Sequence, residues 1–325
     1  MGTDYSTISF SPQQVGRLSL ETLDSLRKDS GGGIKTGVTD IDKFLMPFRP
    51  GELITVLGLP SHYKSGVMNW FSKQAVKEIK AESNEIVIRV TWEQSVEEDT
   101  ISWLAGAADM SITKLARGLI DETEWKILKG ASVRRAITPM WIVGHSQQES
   151  KERRRARPRM TMPDVNKAIE FILNDATASR HKPKMIVLDY LQRIKPTKED
   201  GFDRRIQVSN AVDSSKDMAI SFGCPVVLGV QVDRSILSRD NKLPTMSDGQ
   251  ETSNIEQTSD KMLSVWYPIK TEPEGEMIGG ETVTKNLLMM KLLKQKLGES
   301  NKTFALYIDP EKNLIGDRAQ LTTAL

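Results

Sequence analysis

The chain has 325 residues, 38% of them hydrophobic and 27% charged, which suits two average domains or one large α/β domain with extensions and excludes wholesale disorder, a collagenous repeat or a coiled-coil rod. A single cysteine, Cys224, rules out an intramolecular disulfide, and three histidines (His62, His145, His181) leave little for a Cys/His zinc site. The net charge is +2, too small to announce a nucleic-acid binder, so such binding would have to come from local patches.

Residues 1–33 read as an arm with a short helix, because Leu18, Leu20, Leu23 and Leu26 are spaced to share one face before Gly31, Gly32 and Gly33 break the pattern. A helix this short needs a surface to pack on. Folding back on its own domain is the simpler expectation, and docking on a neighbouring subunit is the other. No basic-then-apolar leader precedes it, and no apolar run approaches the roughly 20 residues of a membrane span. The expectation is a cytoplasmic protein without membrane contact.

From residue 34 to about 312, apolar runs alternate with helical patterns. Strands are expected at 53–57, 86–90, 139–143, 185–188 and 225–230, with helices near 65–80, 95–106, 163–176 and 206–222. Short Val/Ile/Leu runs bounded by turn residues and separated by helices describe a parallel sheet buried on both faces, hence an α/β fold. After residue 260 the strands at 262–267, 282–293 and 303–308 follow one another as a meander, with a surface loop at 269–280 and a tail from 313 to 325.

The stretch Gly58-Leu-Pro60-Ser61-His62-Tyr63-Lys64-Ser65 follows one apolar strand and opens a helix. A phosphate-binding loop needs that context. Backbone amides and the helix amino terminus face the phosphates of ATP, the lysine reaches the terminal ones, and the hydroxyl ligates Mg2+. Tyr63 stands where the pattern wants glycine, and a left-handed backbone there would cost a bulky residue about a kcal/mol or more. Three further strand ends carry polar groups. Asp189 closes an apolar strand and is suited to hold magnesium, Glu93 follows another and could orient a water, and Gln231 ends a third and could sense a terminal phosphate. Ligands of open α/β sheets bind at the carboxyl ends of strands, so the set favours a nucleoside triphosphatase.

Thr36-Gly-Val-Thr-Asp-Ile-Asp-Lys before Pro50-Gly-Glu-Leu, the phosphate loop, Leu188-Asp-Tyr-Leu-Gln192 and the stretch from Pro244 to Asp260 resemble, in the same order, the ATPase domain of bacterial replicative helicases of the DnaB type. The resemblance implies a RecA-like core, a hexameric homo-oligomeric ring with ATP between subunits, single-stranded DNA in the channel, and a primase or loader as partner. By the same resemblance Lys64 binds phosphate, Ser65 and Asp189 hold magnesium, Glu93 is the catalytic carboxylate and Gln231 couples the γ-phosphate to the DNA loops. Lys294 and Lys296, in Lys294-Gln-Lys-Leu-Gly298, stand where a finger would reach the neighbour's ATP. The chain departs from the family in its short amino-terminal segment, which suggests a phage or mobile-element replication system. Tyr63, Lys296 in place of arginine and Gln250 in place of another arginine depart as well. Lysine keeps the charge but loses the planar fork, which bears on fast hydrolysis more than on nucleotide binding.

Residues 151–159 hold six cations and one acid and read either as a solvated segment or as a contact for nucleic acid or an acidic partner. Lys195, Lys198, Arg204 and Arg205, and then Arg234, Arg239 and Lys242, fall where the family's channel loops lie. A ring would repeat them around the pore, contacting phosphates, with Phe202 the one aromatic suited to stacking. Two functions compete: an ATP-hydrolysing DNA helicase, and a helicase-like nucleotide-binding assembly or regulatory protein with slow or absent turnover. A metabolic kinase on the same fold would neither form rings nor bind DNA.

Overall fold

The apolar runs become strands, and several helices start where capping residues precede them. The computed structural model describes residues 8–28, 32–154, 156, 159–174, 181–198, 200–249 and 253–317. In chain order these form α1 (Pro12–Lys28), α2 (Thr39–Asp42), β1 (Leu53–Gly58), α3 (Lys64–Lys77), β2 (Glu85–Thr91), α4 (Val96–Ala108), α5 (Ile112–Ala116), α6 (Glu122–Ala136), β3 (Met140–Val143), α7 (Gln147–Glu152) and α8 (Met162–Leu173). They continue through β4 (Lys182–Asp189), α9 (Arg204–Phe222), β5 (Val226–Gln231), α10 (Asn254–Thr258), β6 (Lys261–Trp266), the hairpin β7 (Met277–Ile278) with β8 (Glu281–Thr282), β9 (Leu287–Gln295), β10 (Lys302–Asp309) and β11 (Leu314–Gly316).

One nine-stranded sheet runs β11-β10-β9-β6-β1-β5-β4-β2-β3. The strands from β6 to β3 in that order are parallel, and β9, β10 and β11 add antiparallel to the β6 edge. Every residue of β1 is buried, and its side chains alternate between two cores. Leu53 and Leu57 join Ile88, Ile169 and Val212 on the face covered by α8 and α9. Ile54 and Val56 join Ile41, Phe71 and Val227 beneath α3. Reciprocal capping boxes at Ser95 with Glu98, Asp121 with Glu124 and Thr161 with Asp164 start α4, α6 and α8. A buried ion pair, Arg89 of β2 with Asp99 of α4, ties that helix to the sheet.

Three expectations change. Helix α1 buries none of its residues, and Leu18, Leu20 and Leu23 remain exposed, so it does not fold back on its own domain. The sheet runs past residue 312: β11 pairs with β10, and the Asp317 carboxylate accepts from the amides of Thr39 and Asp40 at 2.8 and 3.0 Å, so the start of the expected tail belongs to the core. The apolar run at 282–293 divides into β8 and β9, and the loop before it carries the β7–β8 hairpin. Helices α5 and α6 went unforeseen because α5 is only five residues long and the apolar side chains of α6 point to several sides, Leu128 buried but Trp125, Ile127 and Val133 exposed. Among the described residues no helix is long and apolar enough to cross a membrane.

Candidate functional site

The parallel strands set the site through their register. Gly58 at the end of β1 lies opposite Gln231 at the end of β5, and Thr91 of β2 lies opposite Asp189 of β4. Glu93 follows β2 by two residues. The carboxyl edge of the sheet therefore gathers Lys64, Ser65, Glu93, Asp189 and Gln231 around one cleft of about 380 Å³, whose walls also include Pro60, Ser61, Tyr63, Asn69 and Asn313.

The loop between β1 and α3 holds its shape by close packing. A Cβ on Gly58 would stand 2.9 Å from Val265 Cγ2, so glycine is needed where the loop leaves the strand. Tyr63 takes φ 67° and ψ 15°, the left-handed conformation that glycine usually supplies. Its ring folds back over Gly66, tilts against Tyr267 with centroids 6.1 Å apart and donates its hydroxyl to Asn313 Oδ1 at 3.3 Å. Helix α3 can thus begin at Lys64, and its first-turn amides, which lack intrahelical acceptors, sit at the cleft with the positive end of the helix dipole.

Lys64 is 7% exposed, with its ammonium 4.7 Å from the centre of the Tyr190 ring. Burial pulls its pKa down to about 8, against the opposing charges of Asp189 and Glu93. Asp189 is 5% exposed and its Oδ1 has no hydrogen-bond partner among the described residues. A buried carboxylate oxygen left open, in the same cleft as the Ser65 hydroxyl, is a donor set that fits Mg2+, which takes a few protein oxygens and completes its shell with phosphates and water. Glu93 is exposed at the mouth and Gln231 is half-buried in the wall.

Other expected residues lie elsewhere. The His62 imidazole is 5% exposed and accepts the Tyr267 amide at 3.3 Å. Burial, then the nearby Lys270 charge, pulls its pKa to about 4, so it braces the loop as a neutral ring and is absent from the cleft wall. Lys294 and Lys296 lie at the end of β9, at the amino edge of the parallel strands and opposite their own cleft. Lys294 donates to the Glu256 carbonyl at 2.5 Å, and Lys296 pairs with Asp260 at 2.5 Å.

Of the expected nucleic-acid contacts, Lys195, Lys198, Arg205 and Arg234 are exposed. Arg204 donates to the Gln192 carbonyl at 3.2 Å. Arg239 makes a two-pronged pair with Asp248 at 2.7 and 2.8 Å, and Lys242 pairs with Glu272 at 2.5 Å with both side chains largely covered. Phe202 is fully exposed. Part of the 151–159 segment, Arg155, Arg157 and Pro158, lies outside the described residues, as does Gln250. Tyr190, Asn69 and Asn313 carry no motif that gives them a role in the sequence. Tyr190 adjoins a recognisable strand end, whereas Asn313 reaches the cleft from the β10–β11 turn, which no local pattern announces.

The family model described as the DnaB-like helicase C terminal domain matches residues 33–310. The replicative DNA helicase DnaB of Geobacillus stearothermophilus is 24% identical over 266 residues, covering 82% of this chain and 52% of the relative. That of Haemophilus influenzae is 27% identical over 270 residues, covering 80% and 53%. The chain spans about half the length of these curated relatives. A solved structure described as an ATPase domain superposes with a TM-score of 0.77 at 17% identity, covering 94% of this chain and 99% of that one. A DnaB-like replicative helicase, from a structure described with its interactions with primase, gives 0.73 at 17% identity, covering 93% and 66%. The architecture is therefore a RecA-like core with an antiparallel extension, and the chain belongs to the family of DnaB-like helicase C-terminal domains.

Proposed function

We propose that the chain is the motor of a replicative DNA helicase, hydrolysing ATP in a ring of like subunits and translocating on single-stranded DNA. One observation carries the reading: Lys64, Ser65, Asp189, Glu93 and Gln231 line a single cleft at the carboxyl edge of the sheet. The first turn of α3 and Lys64 bind the phosphates and draw charge from the terminal one. The Ser65 hydroxyl and the open Asp189 oxygen would hold Mg2+, which supplies charge neutralisation on the phosphates when bound. Glu93, at the mouth, orients the attacking water and accepts its proton. Gln231 faces the terminal phosphate and leads into the loop that carries Arg234.

A ring is supported by two features. Lys294 and Lys296 stand opposite their own cleft, so they serve a nucleotide only if it lies on a neighbour, and the unburied leucines of α1 are suited to a second subunit. The exposed cations Lys195, Lys198, Arg205 and Arg234 would meet the DNA backbone. A primase or loader is the partner expected of such a motor.

The second reading, a nucleotide-stabilised assembly protein with little turnover, is favoured by Tyr63 in the phosphate loop and by the lysine at position 296. Single-turnover ATP hydrolysis with and without single-stranded DNA separates the two. The motor reading expects DNA-stimulated turnover that Glu93→Gln abolishes. Tight binding without turnover in the unmodified chain would refute it.

A further inference from the structure

We infer that Gln192 is a positioning residue whose side-chain amide clamps the main chain of Gln231 and so carries the response of the nucleotide site to DNA. The inference rests on the reading above, in which Gln231 faces the terminal phosphate.

The β4–β5 ladder ends at Leu188 opposite Leu228, so the last residues of β5 leave the ladder on that side before the strand reaches the cleft. Gln192, in the 3₁₀ turn Leu191–Arg193 after β4, takes the place of the missing strand. Its Nε2 donates to the Gln231 carbonyl at 3.0 Å, and its Oε1 accepts the Gln231 amide at 3.0 Å. The pairing allows one orientation of the amide, because the main-chain N–H needs an oxygen and the carbonyl needs an N–H. On the opposite side, Gln231 is paired with Gly58 at the root of the phosphate loop, and the next amide, Val232, donates to the Gly58 carbonyl at 3.3 Å.

Gln231 is thus held between the phosphate loop and Gln192. The Gln192 carbonyl accepts from Arg204 at 3.2 Å, and Arg204 opens α9 just after the 195–203 loop with its exposed Lys195, Lys198 and Phe202. The second basic loop continues directly from β5. Both loops therefore meet the nucleotide site at one residue, Gln192, the first through its main-chain carbonyl and the second through its side-chain amide. A displacement of either loop on DNA reaches Gln231 as a shift of its main chain, and loss of the clamp uncouples that shift from the cleft.

The test uses the full chain and its Gln192→Ala and Gln192→Glu variants, with equilibrium binding of a fluorescent ATP analogue and single-turnover ATP hydrolysis with and without a single-stranded oligonucleotide. For Gln192→Ala, the nucleotide affinity, the DNA affinity and the DNA-free rate stay near those of the unmodified chain, while the acceleration by DNA falls about tenfold, within the range of ordinary coupling energies. Gln192→Glu preserves size and the acceptor for the Gln231 amide but sets a carboxylate oxygen against the Gln231 carbonyl, so its acceleration falls at least as far. It also keeps the question answerable if the alanine variant folds poorly. Acceleration equal to that of the unmodified chain in the variants overturns the clamp and leaves the motor reading standing. A parallel loss of nucleotide affinity, DNA-free rate and acceleration also overturns it, since that is what a purely structural residue would give. If the unmodified chain itself shows no acceleration by DNA, the motor reading fails and the clamp with it.

Discussion

The Tyr63 ring lies over Gly66, with Cε1 2.7 Å from the point where a Cβ on that glycine would stand. The glycine that the phosphate-loop pattern wants before the lysine is thus found three residues later, where it makes room for the tyrosine that replaced it. Gly66→Ala is expected to destabilise the chain by displacing the ring from Tyr267 and Asn313. In a Tyr63→Gly background the same change becomes neutral or stabilising, because alanine is the better helix former by about 1 kcal/mol. A double-mutant cycle on thermal unfolding should give a coupling of about 1–3 kcal/mol. A neutral Gly66→Ala in the unmodified chain would refute the pairing.

Lys64 predicts a proton-linked affinity. With its pKa lowered by burial to about 8, the free site holds a charged lysine at neutral pH and a largely neutral one near pH 9. Phosphate binding needs the charged form, so nucleotide affinity falls as pH rises through about 8, and binding at about pH 9 takes up a proton. Calorimetry in buffers of different ionisation enthalpy measures that uptake directly. Its absence in Lys64→Met would assign it to this side chain, whereas its persistence would point elsewhere.

Glu93→Gln and Asp189→Asn should fail differently. The first keeps the shape of the mouth and removes a base, so nucleotide binding persists and hydrolysis falls by about 10²–10⁴. The second removes charge from the buried oxygen that fits Mg2+. Its nucleotide binding loses magnesium dependence, as titration with and without a chelator would reveal. Equal magnesium dependence in both variants would contradict the assignment of Asp189.

Phe202 is fully exposed between Lys198 and Arg205. Base stacking on an aromatic ring contributes about 1–3 kcal/mol and depends little on salt. Phe202→Ala should lower affinity for single-stranded DNA without changing the slope of binding against salt, while Arg205→Ala should reduce that slope by about one. Fluorescence anisotropy over a salt series distinguishes the two.

The Arg89–Asp99 pair is almost entirely buried, with side chains 4% and 3% exposed. Asp99→Ala leaves a buried guanidinium without its carboxylate and should destabilise the chain by about 3–5 kcal/mol. Replacing both partners with apolar residues should recover much of the loss. Thermal unfolding of the single and double variants decides it, and a single variant as stable as the parent would refute the pair's role.

The parallel sheet and most of its strands were legible because each strand is a short apolar run stopped by turn residues, and a strand buried on both faces needs that composition. The polar side chains of the cleft were legible for the same reason. Asp189, Gln231 and Glu93 stand where an apolar run stops, and the stop marks the carboxyl edge. Helix α6 was missed although Asp121 and Glu124 form its capping box, since its apolar side chains point to several sides and set no period. The ion pairs of Arg239 with Asp248 and of Lys242 with Glu272, two cations expected to meet nucleic acid, are invisible in the sequence because they form only through folding.

By itself the sequence determined which chemistry is available. A lysine and serine open a helix after a strand, and acids and an amide end three others, all of it set by local pattern and strand direction. Tertiary structure alone decided how that chemistry is held. Tyr63 keeps a left-handed turn because Gly66, Tyr267 and Asn313 accommodate its ring, the Lys64 charge is tuned by burial beside Tyr190 and Asp189, and Leu18, Leu20 and Leu23 of α1 stay exposed because none of the described residues covers them. Contacts between residues far apart in the chain depend on distances that no local pattern encodes.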